Sequence, residues 1–236
     1  MNSQSRTVSA RDRLIVALDV PTQTEALNFV RDLSPEVSFF KIGLQLYTAA
    51  GPEIVRAVLA TSAKVFLDLK LHDIPNTAAR TVESAVSLGA QMLTIHLSGG
   101  AEMIRAAVAA RKNNLSILGV TVLTSATEET LRKIGVSDTI DSYVLRLAKV
   151  GVAGGIDGLV ASPREVKMLR GQFGAKIKLV VPGIRPSWSE VGDQKRVMTP
   201  REALDAGADY LVIGRPIIAH PRPREAVTKI LNEIES

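Results

Sequence analysis

The stretch KVFLDLKLHDIPNT, residues 64–77, decides how this chain is read. It opens as a buried strand and then carries Asp68, Lys70 and Asp73 within six positions, wrapped in Phe66, Leu67, Leu69, Leu71 and Ile74. Ionisable groups in an apolar run are costly unless they pair or take part in chemistry. Side chains alternate across a strand. Val65, Leu67 and Leu69 therefore share a face suited to packing under helices, and Phe66, Asp68 and Lys70 share the other. Asp73 breaks that parity and is expected in the loop after the strand.

Working outward, similar apolar runs recur along all 236 residues: LIVAL (14–18), FFKIG (39–43), MLTIHL (92–97), LSILGVTVL (115–123), IDGLVA (156–161), IKLVVPG (177–183) and YLVIG (210–214). Segments with helical spacing lie between them, such as Ala78, Val82, Ala85, Val86 and Gly89. Thr22–Glu25, Ser162–Glu165 and Thr199–Glu202 have the spacing of capping boxes, the last two with Pro at the first helical position. SLGAQ, VAGGID and DAGADY each stop a helix at Gly and lead into a strand. Eight strands alternating with helices, at roughly thirty residues per unit, predict a single α/β (β/α)8 TIM barrel over residues 11–236. A doubly wound open sheet also alternates, but ALDVPTQT stands after the first strand where a Gly-rich dinucleotide loop is needed. Residues 1–10, MNSQSRTVSA, are polar and are expected to form a frayed tail.

In such a barrel the interior parity of the first three strands ends in charge. Ile15, Ala17 and Asp19 share one parity, Phe39 and Lys41 another, and Asp68 and Lys70 a third. Any one of these pairs reads as a rim salt bridge. Four charges alternating in sign on three neighbouring strand ends read as a site at the C-terminal mouth. VPGIR after the seventh strand and IGRPI after the eighth place Arg185 and Arg215 on the two loops that bind phosphate in many barrels, with Gly214 allowing close approach. The polar loop from Pro182 to Thr199 is positioned to close over a ligand.

Composition removes other classes. There is no cysteine, so thiol chemistry, disulfides and zinc–thiolate sites are excluded, in keeping with a reducing cytoplasm. The net charge of +5 is spread without a basic run, which argues against nucleic acid as partner. No apolar run is long enough to span a bilayer as a helix. His72, His96 and His220 lack metal-ligand spacing, and no Ser–His–Asp set can be assigned.

FLDLKLHDIPNT resembles the signature D-x-K-x-x-D-I-P-x-T of the orotidine 5′-monophosphate decarboxylase family, in its bacterial branch. VALD, FKIG, TVLTS, PGIRP with DQKRV, and GADYLVIGRPI follow in the family's order over nearly the whole chain; only the N-terminal tail and HPRPRE near residue 220 depart. The resemblance implies a homodimer without metal or cofactor that converts orotidine monophosphate to uridine monophosphate and carbon dioxide. It implies Lys70 as proton donor to C6, with Asp68 beside the departing carboxylate. Asp19 and Lys41 would complete the charged network and hold the ribose hydroxyls. Asp73 and Thr77 would reach into the neighbouring subunit's site, and Thr124 with Ser125 would read the pyrimidine. Gln194, Gly214 and Arg215 would grip the phosphate, with Arg185 on the closing loop. The sister decarboxylases and hexulose phosphate synthases bind magnesium through an acidic residue on strand two, where this chain has Lys41. A phosphate-binding barrel without catalysis is the rival from another class.

Overall fold

The apolar runs become eight parallel strands in a computed structural model that describes residues 9–112, 114–189 and 197–235. They are β1 (Leu14–Ala17), β2 (Phe39–Gly43), β3 (Lys64–Leu71), β4 (Met92–His96), β5 (Ser116–Val120), β6 (Gly158–Val160), β7 (Lys178–Val181) and β8 (Tyr210–Ile213). Each strand pairs with the next, and β8 pairs back onto β1 through Leu14↔Leu211 and Ile15↔Val212. That closure makes a TIM barrel and removes the open edges a doubly wound sheet would keep.

Strand parity sorts the core into two layers. Ile15, Ala17, Phe39, Phe66, Met92 and Val180 meet inside the barrel. Leu14, Val16, Phe40, Ile42, Val65 and Leu67 face the other way and pack in the larger layer under the helices. The helix Pro75–Leu88 shows how the sequence sets element ends. Pro75 needs no amide partner at the first position, and Gly89 takes φ 87° to stop the helix, its N–H bonding to Val86 O at 3.0 Å. Of the three capping boxes, Thr199–Glu202 forms both halves, with Glu202 N–H to Thr199 Oγ1 at 3.3 Å and Thr199 N–H to Glu202 Oε2 at 2.9 Å. Thr22 caps Glu25 N–H at 3.3 Å, and Glu165 Oε2 accepts from Ser162 N–H at 2.9 Å.

The tail expected over residues 1–10 needs one correction. Residues 1–8 lie outside the described residues, but Ala10 begins a one-turn helix, Ala10–Arg13, and is buried. Ser9 caps it by accepting from Asp12 N–H at 3.2 Å.

The N-terminal rim is stitched by side chains that precede even-numbered strands. Gln91 Oε1 accepts from Val65 N–H at 2.5 Å, Asp157 Oδ2 from Ile117 N–H at 2.8 Å, and Asp209 Oδ2 from Leu179 N–H at 2.7 Å. Arg111 and Arg170 pair with the two carboxylates. This end secures the barrel, and the opposite end opens into a cavity. Among the described residues no helix is long and apolar enough to cross a membrane.

Candidate active site

A cavity of about 450 Å³ opens at the C-terminal ends of the strands, within the size range of small-ligand sites. One wall is charged. Lys41 Nζ lies 2.9 Å from Asp19 Oδ1 and 3.5 Å from Asp68 Oδ2, and Lys70 Nζ lies 2.8 Å from Asp68 Oδ1. The row thus runs Asp19, Lys41, Asp68, Lys70 with alternating sign, and at reference charges it sums to zero. Lys41 is only 8% exposed, and the two carboxylates beside it offset the cost of burying its charge inside the barrel. Burial penalises the Asp68 anion, but Lys41, Lys70 and hydrogen bonds from Lys70 and Thr94 more than offset that and hold its carboxyl below the usual range.

The strand carrying this pair is irregular. Leu67 stands opposite Leu93 on β4, whereas Leu71 stands opposite Ile95. β3 advances four residues while β4 advances two, which is a bulge of two extra residues. Within it Lys70 adopts φ 52°, a left-handed conformation that costs a non-glycine residue about 1–2 kcal/mol. Leu69, expected only under the helices, contributes both to that layer and to the cavity wall. The register with β2 stays regular through Gly43↔Asp68, so parity correctly aims Phe66 and Asp68 inward up to the bulge.

Opposite the charged row the wall is apolar, with Val120, Val122, Val160 and Val180, and Thr124 also lines the cavity. Ser125 is exposed and does not line it. The third sector is basic. Arg185 is buried, its Nη1 donating to Ile184 O at 2.9 Å, and its N–H bonds to Met198 O at 2.9 Å, which ties the two ends of the long loop together. Arg215 and Gly214 line the cavity beside it, where a four-residue helix, Arg215–Ile218, follows β8. Gln194 lies outside the described residues.

Asp73 and Thr77 are exposed and do not line this chain's own cavity. Asp73 Oδ1 accepts from Ile74 N–H at 2.7 Å, and Thr77 sits in the first turn of the helix Pro75–Leu88. The two histidines near the cluster pack on each other, His72 and His96 having centroids 5.5 Å apart. Burial, with His72 and Lys70 nearby, pushes the His96 imidazole below its ordinary value. Neither ring lines the cavity. Among the described residues no cluster of three or more His, Asp or Glu side chains is placed to hold a metal ion.

Two residues at the site escaped sequence reasoning. Gly43 has no side chain because a Cβ there would stand 3.0 Å from Lys41 Nζ and 3.3 Å from Asp19 Oδ1, crowding their ion pair. Thr94 is fully buried and hydrogen-bonds to both Asp68 and Lys70. Its signal was present: in MLTIH it is the one hydroxyl, on the parity of Met92, which faces the barrel interior.

Known proteins share this architecture and sequence. Residues 12–230 match the model of the Orotidine 5′-phosphate decarboxylase / HUMPS family. Orotidine 5′-phosphate decarboxylase of Moorella thermoacetica is 47% identical over 235 residues, covering 96% of this chain and 93% of its own. The protein of the same name from Geobacter sp. (strain M21) is 47% identical over 229 residues, covering 94% and 95%. The crystal structure of orotidine 5′-phosphate decarboxylase from Lactobacillus acidophilus superposes with a TM-score of 0.84 at 33% identity, covering 94% of this chain and 99% of that one. The match runs through all eight strands and the loops that bear the charged row and the arginines, so the chain belongs to the Orotidine 5′-phosphate decarboxylase / HUMPS family.

Proposed function

We propose that this protein decarboxylates orotidine 5′-monophosphate to uridine 5′-monophosphate and carbon dioxide, the last step of de novo uridylate synthesis, as a cytoplasmic homodimer working without metal or cofactor. The observation that carries this reading is the alternating row Asp19–Lys41–Asp68–Lys70, set across one cavity from Arg185 and Arg215. A substrate with an anionic phosphate at one end and a carboxylate at the other spans that arrangement, with its pyrimidine against the valine wall and Thr124.

Bond breaking at C6 leaves an electron pair on a carbon that has no adjacent sink. In this reading Lys70 supplies the opposite charge as that pair develops, then donates a proton from Nζ to C6 and is reprotonated by solvent. Asp68 lies beside the departing carboxylate, and its repulsion is relieved when neutral carbon dioxide forms. Lys41 and Asp19 hold Asp68 in place and hydrogen-bond the ribose hydroxyls. Arg185, Gly214 and Arg215, with Gln194, bind the phosphate, and that remote grip offsets the repulsion at the reacting end.

Asp73 and Thr77 act in the neighbouring subunit's site. Their exposure supports this, as does the apolar surface around the mouth, where Leu44, Ile74 and Leu123 are 62%, 66% and 45% exposed. A second copy of the chain covers these side chains and brings Asp73 of the partner subunit to the row, taking its net charge to about −1.

The magnesium-dependent sisters in the same family are disfavoured by one contact set. The Lys41 ammonium sits between the carboxylates of Asp19 and Asp68, where a divalent cation would need to bind. The test is the ultraviolet absorbance change of orotidine monophosphate in excess chelator, with Lys70→Ala alongside. Rapid loss in the wild type and none in the variant is expected. No turnover until magnesium and a sugar phosphate are supplied would transfer the assignment to the sisters. Binding without turnover under either condition would make the barrel a sensor.

A further inference from the structure

We propose that Thr94 is a positioning residue for the decarboxylation: its hydroxyl, inserted opposite the β3 bulge, holds the Lys70 backbone in place and orients the Asp68 carboxylate. This rests on the reading of Asp68 and Lys70 as the reacting pair. The bulge leaves three residues of β3, Asp68 to Lys70, facing Thr94 alone on β4. A regular ladder cannot satisfy the amides of such a segment. Thr94 Oγ1 does so for Lys70, accepting from its N–H at 2.8 Å, and Oγ1 lies 3.0 Å from Asp68 Oδ1.

The proton bookkeeping fixes the direction of both bonds. An amide N–H only donates and an ionised carboxylate only accepts. The hydroxyl must therefore accept from Lys70 and give its single hydrogen to Asp68. That pattern suits Asp68 as an anion, and the side-chain bond from Thr94 is among the influences that lower its carboxyl. Asp68 Oδ1 then receives two donors, Thr94 Oγ1 and Lys70 Nζ, while Oδ2 faces Lys41. One buried hydroxyl thus ties the left-handed backbone of the proton donor to the carboxylate it must sit beside. The other charged and titratable groups facing Asp68 are Lys41 from β2, Lys70 on β3 itself and His96 at the end of β4, with His72 behind it. Asp19 from β1 reaches Asp68 through Lys41.

The experiment compares Thr94→Val, which keeps the branched shape and removes the hydroxyl, with Thr94→Ser, which keeps the hydroxyl. Thr94→Ala repeats the comparison without a methyl in contact with the strand. Loss of the hydroxyl should lower kcat at least tenfold, leave KM within about threefold, and move the acid limb of the kcat profile to higher pH; Ser should stay within about threefold of wild type. Unchanged kcat in Thr94→Val, or equal losses in Val and Ser with an unmoved acid limb, overturns the proposal. A second readout needs no turnover: the carboxyl titration of Asp68, followed by NMR in substrate-free protein labelled at aspartate. An upward shift in Thr94→Val and none in Thr94→Ser upholds the positioning role even if orotidine monophosphate proves to be the wrong substrate. Identical titration in all three proteins overturns it.

Discussion

Replacing Lys41 by Met tests whether the charged row acts as one electrostatic unit. Met preserves the length and much of the volume of the lysine stem, so packing changes little. What disappears is the cation 2.9 Å from Asp19 Oδ1 and 3.5 Å from Asp68 Oδ2. Removing one partner of a buried pair costs about 3–5 kcal/mol. Asp19 is half exposed and recovers water, which places the loss near the lower figure. The diagnostic feature is its pH dependence. In the wild type the Asp68 carboxyl is lowered, so it contributes stability above its unfolded value that is lost only as pH falls through its folded value. Without Lys41, burial is opposed by Lys70 and Thr94 alone and the carboxyl must move up. The stability difference between the two proteins should therefore be full near pH 8 and shrink as pH falls through the variant's Asp68 titration, by at most ~1.4 kcal/mol per pH unit for one proton. Urea unfolding at a series of pH values down to about 4 measures this directly. A difference that stays constant over the series would show that Lys41 does not set the charge of Asp68, and the electrostatic account of the site would fail with it.

Two further predictions test the ends of the proposed substrate and the dimer. Arg215→Ala should lower kcat/KM for orotidine monophosphate more than tenfold although the residue is remote from C6; a smaller effect, under ~1.4 kcal/mol, would mean that phosphate binding does not drive the chemistry. Mixing Lys70→Ala with Asp73→Asn protein, each inactive alone, should restore roughly a quarter of wild-type activity, because random pairing makes half the dimers mixed and each mixed dimer holds one intact site. No recovery after subunit exchange would place Asp73 in its own chain's site.

The fold was legible because each strand of a TIM barrel is buried on both faces and announces itself as an apolar run. Parity then separated Phe66 from Val65, and Ala17 from Val16, into the two core layers in which they lie. It also brought Asp19, Lys41 and Asp68 to one mouth, since β1, β2 and β3 keep regular register as far as Gly43↔Asp68. The charges could be found because each interrupts an apolar face, and Arg185 and Arg215 because each follows a turn at a strand end. Residues that make space or fill a hydrogen-bond gap leave a weaker mark. Gly43 reads as a strand end in FFKIG, and only the folded chain shows that a Cβ there would crowd Lys41 Nζ and Asp19 Oδ1.

Beyond Asp68 parity misplaces Leu69, which lines the cavity as well as the helix layer, for a physical reason that a single strand cannot display. A bulge is a mismatch between two strands, and β3 and β4 reveal it only when Leu67↔Leu93 is compared with Leu71↔Ile95. Lys70 sits within the bulge at φ 52°, and its Nζ lies 2.8 Å from Asp68 Oδ1. A regular strand would align Asp68 and Lys70 on one face about 7 Å apart along the chain, a span that a lysine stem also covers, so the ion pair itself does not require the bulge. What the bulge does change is the ladder, which leaves the Lys70 amide without a backbone partner on β4. Thr94 satisfies it, so the side chain that fills the gap in the ladder also hydrogen-bonds the carboxylate with which the proposed proton donor pairs.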